Sequence, residues 1–165
     1  MEILKFIFSW SHIISASLSM LFGLILVTRT KGDKKHKKMG DYYFYAMLIN
    51  NITALFIYNA YGKWFFPHWL AVITLALIIP GFLSIRMSKS SAAIKVHIIS
   101  MVLSYYMLIG GAVNEAFIHI PSLTPLMHEQ SPAFGMTHFA VQIIFVAMLI
   151  YFLIRYRKMG RKIKA

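Results

Sequence analysis

"LKFIFSWSHIISASLSMLFGLILVTRTKGDKKHKK", residues 4–38, is the stretch that decides the fold. Up to Thr28 it is apolar apart from Lys5, one histidine and a few serines, and about 20 apolar residues suffice to cross a hydrocarbon core about 30 Å thick. Arg29, Lys31, Lys34, Lys35, Lys37 and Lys38 follow at once. A spanning run closed by a basic cluster is a membrane helix with a cytoplasmic flank. A cleavable signal peptide would have a shorter apolar run with its charges in front, whereas here only Lys5 precedes it. The segment is expected to stay as a helix.

Working outward, the pattern repeats. Five stretches are long and apolar enough to span: about 4–28, 42–62, 67–87, 93–118 and 134–154. With 59% hydrophobic and 13% charged residues and a mean hydropathy of +0.66, the 165-residue chain is too apolar for a soluble domain. The expected fold is all-α, an integral membrane bundle of five transmembrane helices forming one domain over 1–165. The net charge of +12 does not indicate a nucleic-acid partner, because the basic residues lie between apolar runs rather than on a folded polar surface. They report topology instead. All 17 lysines and arginines except Lys5 and Lys63 fall in the first loop, the third loop (Arg86, Lys89, Lys95) or the tail (Arg155, Arg157, Lys158, Arg161, Lys162, Lys164). This bias places the N-terminus outside and the C-terminus inside, with the outer side marked by Glu2, Glu115, Glu129 and the aromatic belt "KWFFPHW". The partners implied are the lipid bilayer itself and anionic headgroups at the basic inner loops. No cysteine is present, which removes disulfides, iron–sulfur clusters and thiol nucleophiles.

Ser11, Ser15, Ser19 and Gly23 recur every four residues and give the first helix a face of small side chains that another helix can approach closely. Pro80 with Gly81 is expected to kink the third helix, and Gly110 with Gly111 to let the fourth bend or pack tightly. The longest loop, about 119–133, carries Pro121, Pro125 and Pro132.

Ionisable groups inside a bilayer are costly, so each is a functional candidate. Of seven histidines, His36 and His97 lie near the inner surface, and His68, His119, His128 and His138 near the outer. His12 is the deepest, on the order of 13 Å below the outer boundary at 1.5 Å per residue. Asn59, Asn114, Glu115, His138 and Gln142 share the outer half with it. Neutral imidazole ligates transition metals and haem iron, so His12, Glu115 and His138 form one candidate metal set. The alternative is a neutral His12 hydrogen-bonded to a Ser or Asn of a neighbouring helix. His36 has three readings: a solvated residue among headgroup-facing lysines, a cap or anchor for the second helix ahead of Tyr42, Tyr43 and Tyr45, or one of a pair with His97 at the same depth. Two imidazoles at one depth are what six-coordinate haem b requires. Pairing by depth gives His36 with His97 and His12 with His138 as tentative cofactor ligands. There is no H-x-x-x-H, phosphate loop or G-x-S-x-G, so a hydrolase is not supported and no catalytic residue is assigned. Two further readings stand beside a redox protein: a non-catalytic accessory protein whose serine seam packs against a larger membrane complex or a second copy, and a lipid or quinone binder with Tyr105 and Tyr106 beside a cleft.

"SHIISASLSMLFG" (11–23), "HKKMGDYYFYAM" (36–47) and "KVHIISMVLSYYM" (95–107) together resemble the bacterial membrane-protein family named domain of unknown function 2306. The family pattern, a histidine in the first helix, then H-[RK]-x-x-G-x-x-Y, then a histidine opening a later helix, matches His12, then His36, Lys37, Gly40 and Tyr43, then His97. Where the family more often has an H-R pair, this chain has His97-Ile98. The resemblance implies a multi-pass protein of the bacterial plasma membrane and carries no activity with it.

Overall fold

The computed structural model describes residues 2–57, 63–128 and 131–156. They form six helices: α1 (Glu2–Thr28), α2 (Lys34–Ala54), α3 (Phe66–Met87), α4 (Ser91–His119), α5 (Thr124–His128) and α6 (Ala133–Arg155), with no strand among the described residues. The chain divides into two compact units, Met1–Ile79 and Pro80–Ala165.

Four helices are long and apolar enough to cross a membrane: Ile3–Thr28, Phe66–Met87, Ser91–His119 and Ala133–Arg155. The expected second span is helical but not among them. It starts at Lys34 rather than near residue 42, so its first turns carry Lys34, Lys35, Lys37 and Lys38, and its last turns carry Asn50, Asn51 and Thr53. Residues 58–62 of that expected span, Asn59 among them, lie outside the described residues, as do Glu129 and the basic tail beyond Tyr156.

In the first unit α1 and α2 form an antiparallel hairpin. Phe8 stacks on Phe56 at 5.0 Å, His12 bonds to Asn50, and Phe22 meets Tyr42 at 5.7 Å, which fixes the register along the whole pair. That register puts the small face of α1 opposite the bulky face of α2. Ser15, Ser19 and Gly23 are buried, and so are Tyr43, Ala46, Met47 and Asn50. Ser15 and Ser19 each return their hydroxyl proton to a carbonyl one turn back, Ser11 at 2.6 Å and Ser15 at 2.7 Å, so the seam brings no unsatisfied donor into the interior. The opposite face of α2 is apolar: Tyr45, Ile49 and Ile52 are exposed.

The turn between these helices explains much of the basic loop. Gly32 takes φ of 87°, the left-handed conformation that reverses the chain. The Lys31 ammonium donates to the carbonyls of Leu26, Val27 (2.8 Å) and Arg29 (2.8 Å), filling acceptors that the end of α1 leaves open. Asp33 caps α2, its carboxylate accepting the His36 amide N–H at 2.6 Å, and pairs with Arg29 at 3.5 Å. The His36 amide and the half-buried Arg29 beside it hold the Asp33 carboxyl below its ordinary value.

In the second unit α4 begins at Ser90, whose hydroxyl accepts the Ala93 N–H at 3.1 Å, and runs antiparallel to α6. Tyr105 and Tyr106 each pack against Phe145 at 5.6 Å, and Phe117 meets Phe134 at 5.2 Å. The tyrosine pair is therefore engaged in helix packing. The end of α3 enters this unit through Gly81, where an added Cβ would lie 2.6 Å from Ser100 Cβ. Pro80 sits inside α3, which continues unbroken to Met87. Close helix approach thus falls at Gly81, while at Gly110 and Gly111, expected to permit it, an added Cβ would have nothing within 4 Å.

Candidate functional site

His12, His97, His138 and His68 are each held by a specific hydrogen bond. His12, half-buried on α1, has Nδ1 3.0 Å from the Asn50 carbonyl oxygen on α2. A carbonyl only accepts, so Nδ1 carries the proton and Nε2 keeps its lone pair. Asn50 is itself 6% exposed, and its side-chain Oδ1 is buried without a hydrogen-bond partner. His97, nearly two turns inside α4, has Nδ1 2.8 Å from the Gly81 carbonyl oxygen on α3, which fixes the same tautomer. Both rings are bound at one nitrogen to the main chain of another helix and are basic at the other.

His138 on α6 places Nε2 3.0 Å from Asn114 Oδ1 on α4, edge-on to Phe134 at 4.7 Å. Its partner is thus Asn114, while Glu115 forms an exposed pair with His119 at 3.1 Å one turn further along α4. Glu115 and Asn114 are adjacent, and about 100° of helix rotation separates them. Gln142, one turn beyond His138, is exposed. His68 is buried at the start of α3, where its Nδ1 accepts the Phe65 N–H at 3.1 Å and its ring stacks on Trp64 at 4.9 Å, so it serves the helix start. Among the described residues no three His, Asp or Glu side chains gather as a metal ion needs.

His36 is half-buried, and it is Asp33 that caps α2, His36 contributing its backbone N–H as the bonded donor. The D-K-K-H order ahead of an apolar run is a legible N-cap signal, missed when the stretch is scanned for charge alone. His36, Gly40 and Tyr43 share one helix face. A Cβ on Gly40 would meet nothing within 4 Å, so no packing among the described residues demands a glycine there.

The serine seam also has its place. Ser15 is 5% and Ser19 0% exposed, so this face is covered within the chain and is not free for an outside helix.

An all-helical chain with four bilayer-length apolar helices, basic turns and no soluble domain of any size among the described residues is a multi-pass membrane protein. It belongs to the family described as "Predicted membrane protein (DUF2306)", whose model matches residues 9–154 and so takes in His12, the His36 to Tyr43 motif, His97 and His138. No curated protein and no solved structure matches the chain.

Proposed function

We propose that this membrane protein holds a redox group, haem b or a transition metal, on imidazole ligands, and that His12 and His97 are the rings best prepared for it. The observation that carries the proposal is their shared geometry: Nδ1–H tied to a helix carbonyl, at 3.0 Å and 2.8 Å, with Nε2 left as the electron-pair donor. Ligating histidines characteristically have their second nitrogen anchored in this way, which fixes the tautomer and the ring plane. The open space over Gly40, one turn from His36, adds support, since a flat group can approach the backbone most closely at a glycine. Two imidazoles at one membrane depth complete a six-coordinate haem. By sequence depth His36 and His97 fall towards the inner surface and His12 and His138 towards the outer. A group held on these rings would supply one-electron redox chemistry.

The proposal includes five spans, α2 with its apolar exposed face being the fifth, in the plasma membrane of a bacterium with the N-terminus outside and the C-terminus inside. The lysines that open α2 then sit at the inner surface against anionic headgroups. Four lysines near a helix N-terminus oppose the helix dipole, so they are placed for the membrane surface rather than for helix stability.

The test is a dithionite-reduced minus oxidised absorption spectrum of protein purified in mild detergent, with metal analysis of the same sample. Sharp haem bands that weaken in His97→Ala and in His12→Ala are expected. A featureless spectrum with no stoichiometric metal, or cofactor content unchanged in both variants, overturns the proposal.

A further inference from the structure

We infer that the exposed face of α6 pairs with the same face of a second copy of this chain, with Gln142 at the centre of the contact. The rise of 1.5 Å per residue puts Gln142 about 13 Å along α6 from Ala133, well inside a hydrocarbon core about 30 Å thick. Its side chain is exposed, and among the described residues its amide makes no hydrogen bond. The neighbouring polar residue one turn earlier, His138, is satisfied inside the unit by Asn114. A carboxamide left facing acyl chains would have two N–H groups and a carbonyl without partners, which a bilayer does not tolerate cheaply.

The surroundings suit a helix. Phe139, Gln142, Ile143, Val146, Ala147 and Ile150 form one exposed face of α6. Steps of three and four from 139 to 142, 146 and 150 follow the seam of paired helices, and Ala147 lets a neighbour come close. The amide selects the occupant. It carries both donor and acceptor, so two Gln142 side chains across a two-fold axis satisfy one another. An acyl chain offers neither. From Ala133 to Ile154 α6 has no charged residue, so the strong positive charge of the chain does not oppose the contact.

The chain has no cysteine, which makes single-cysteine crosslinking clean. In native membranes, Val146→Cys should give an oxidised dimer, whereas Ile144→Cys, more exposed (62% against 49%) but on the other flank, should give little. Adding Gln142→Leu to Val146→Cys should cut the dimer yield through a roughly tenfold weaker association, and Gln142→Asn should retain most of it. Equal crosslinking from both flanks, monomer only from position 146, or a Gln142→Leu chain that dimerises as well as its parent would each overturn the inference.

Discussion

Replacing Gly81 with alanine separates close helix packing from helix propensity, because the two act in opposite directions. The new Cβ would lie 2.6 Å from Ser100 Cβ, 3.2 Å from Met101 Sδ and 3.5 Å from Ser100 Oγ. Met101 can swing its sulfur aside. Ser100 Cβ is one bond from the backbone of α4 and buried, so relief there means moving a helix. Overpacking of this kind costs about 1–3 kcal/mol. A 2.6 Å approach to a carbon next to the backbone puts the cost in the upper part of that range, about 2–3 kcal/mol; alanine for glycine inside a helix returns about 1 kcal/mol, which leaves a net loss of about 1–2 kcal/mol. For a chain of this length that corresponds to a fall of about 3–6 °C in the thermal midpoint, followed by far-UV circular dichroism in mild detergent. Gly110→Ala, with nothing within 4 Å, should hold or raise the midpoint. Adding Ser100→Gly to Gly81→Ala removes the clashing carbon and should recover part of the loss, in excess of the sum of the separate effects. A Gly81→Ala protein as stable as wild type, or a double variant no better than the single, would refute the packing account. The same shift would disturb the 2.8 Å bond from His97 to the Gly81 carbonyl, so cofactor content should fall with the midpoint if His97 is a ligand.

Other substitutions test the first unit. Ser19→Leu, at a fully buried position, should destabilise by about 1–3 kcal/mol, whereas the exposed Ser17→Leu should stay near wild type in the same melt. His12→Ala should weaken the α1–α2 pair by about 1 kcal/mol, read as faster backbone hydrogen exchange near Asn50. Because the Asp33 carboxyl titrates below its ordinary 3.8, held chiefly by the His36 amide, its capping is fully present above that value and is lost as pH falls through the lower, folded-state value. Hydrogen exchange at the His36 amide should therefore accelerate, relative to an internal α2 amide, only below about pH 4. Asp33→Asn, which caps without ionising, should flatten that change.

The long helices are legible in the sequence because a bilayer reads a coarse quantity, the length of an apolar run, and the ends of α1, α3, α4 and α6 fall within two residues of those expected. α2 is legible as a helix but not in its start, since Asp33 extends the helix through four lysines that hydropathy assigns to a loop. The short α5 has no apolar run to announce it. Side-chain partners are harder to anticipate, because depth supplies one coordinate and helix rotation the other two. Counting along their helices puts His138 and Glu115 at one depth, yet a turn of about 100° gives His138 to the neighbouring Asn114. The glycines show the same limit. Gly110 and Gly111 stand out as a pair, but what decides their role is whether a helix passes over them, and it passes over Gly81.

The hairpin register has a consequence for how the chain is made. Asn50, Asn51 and Thr53 are buried, and what α2 shows outward is Tyr45, Ile49 and Ile52. Alone, α2 would present those amides to lipid; docked on α1 through His12, it presents an aromatic ring and branched aliphatics. If α2 enters the bilayer, it does so as α1's passenger, so the ribosome must finish residue 54 before the first two helices can leave the insertion machinery together. A pause or a cut between Gly32 and Asp33 would then strand α2 at the membrane surface while α1 inserted normally.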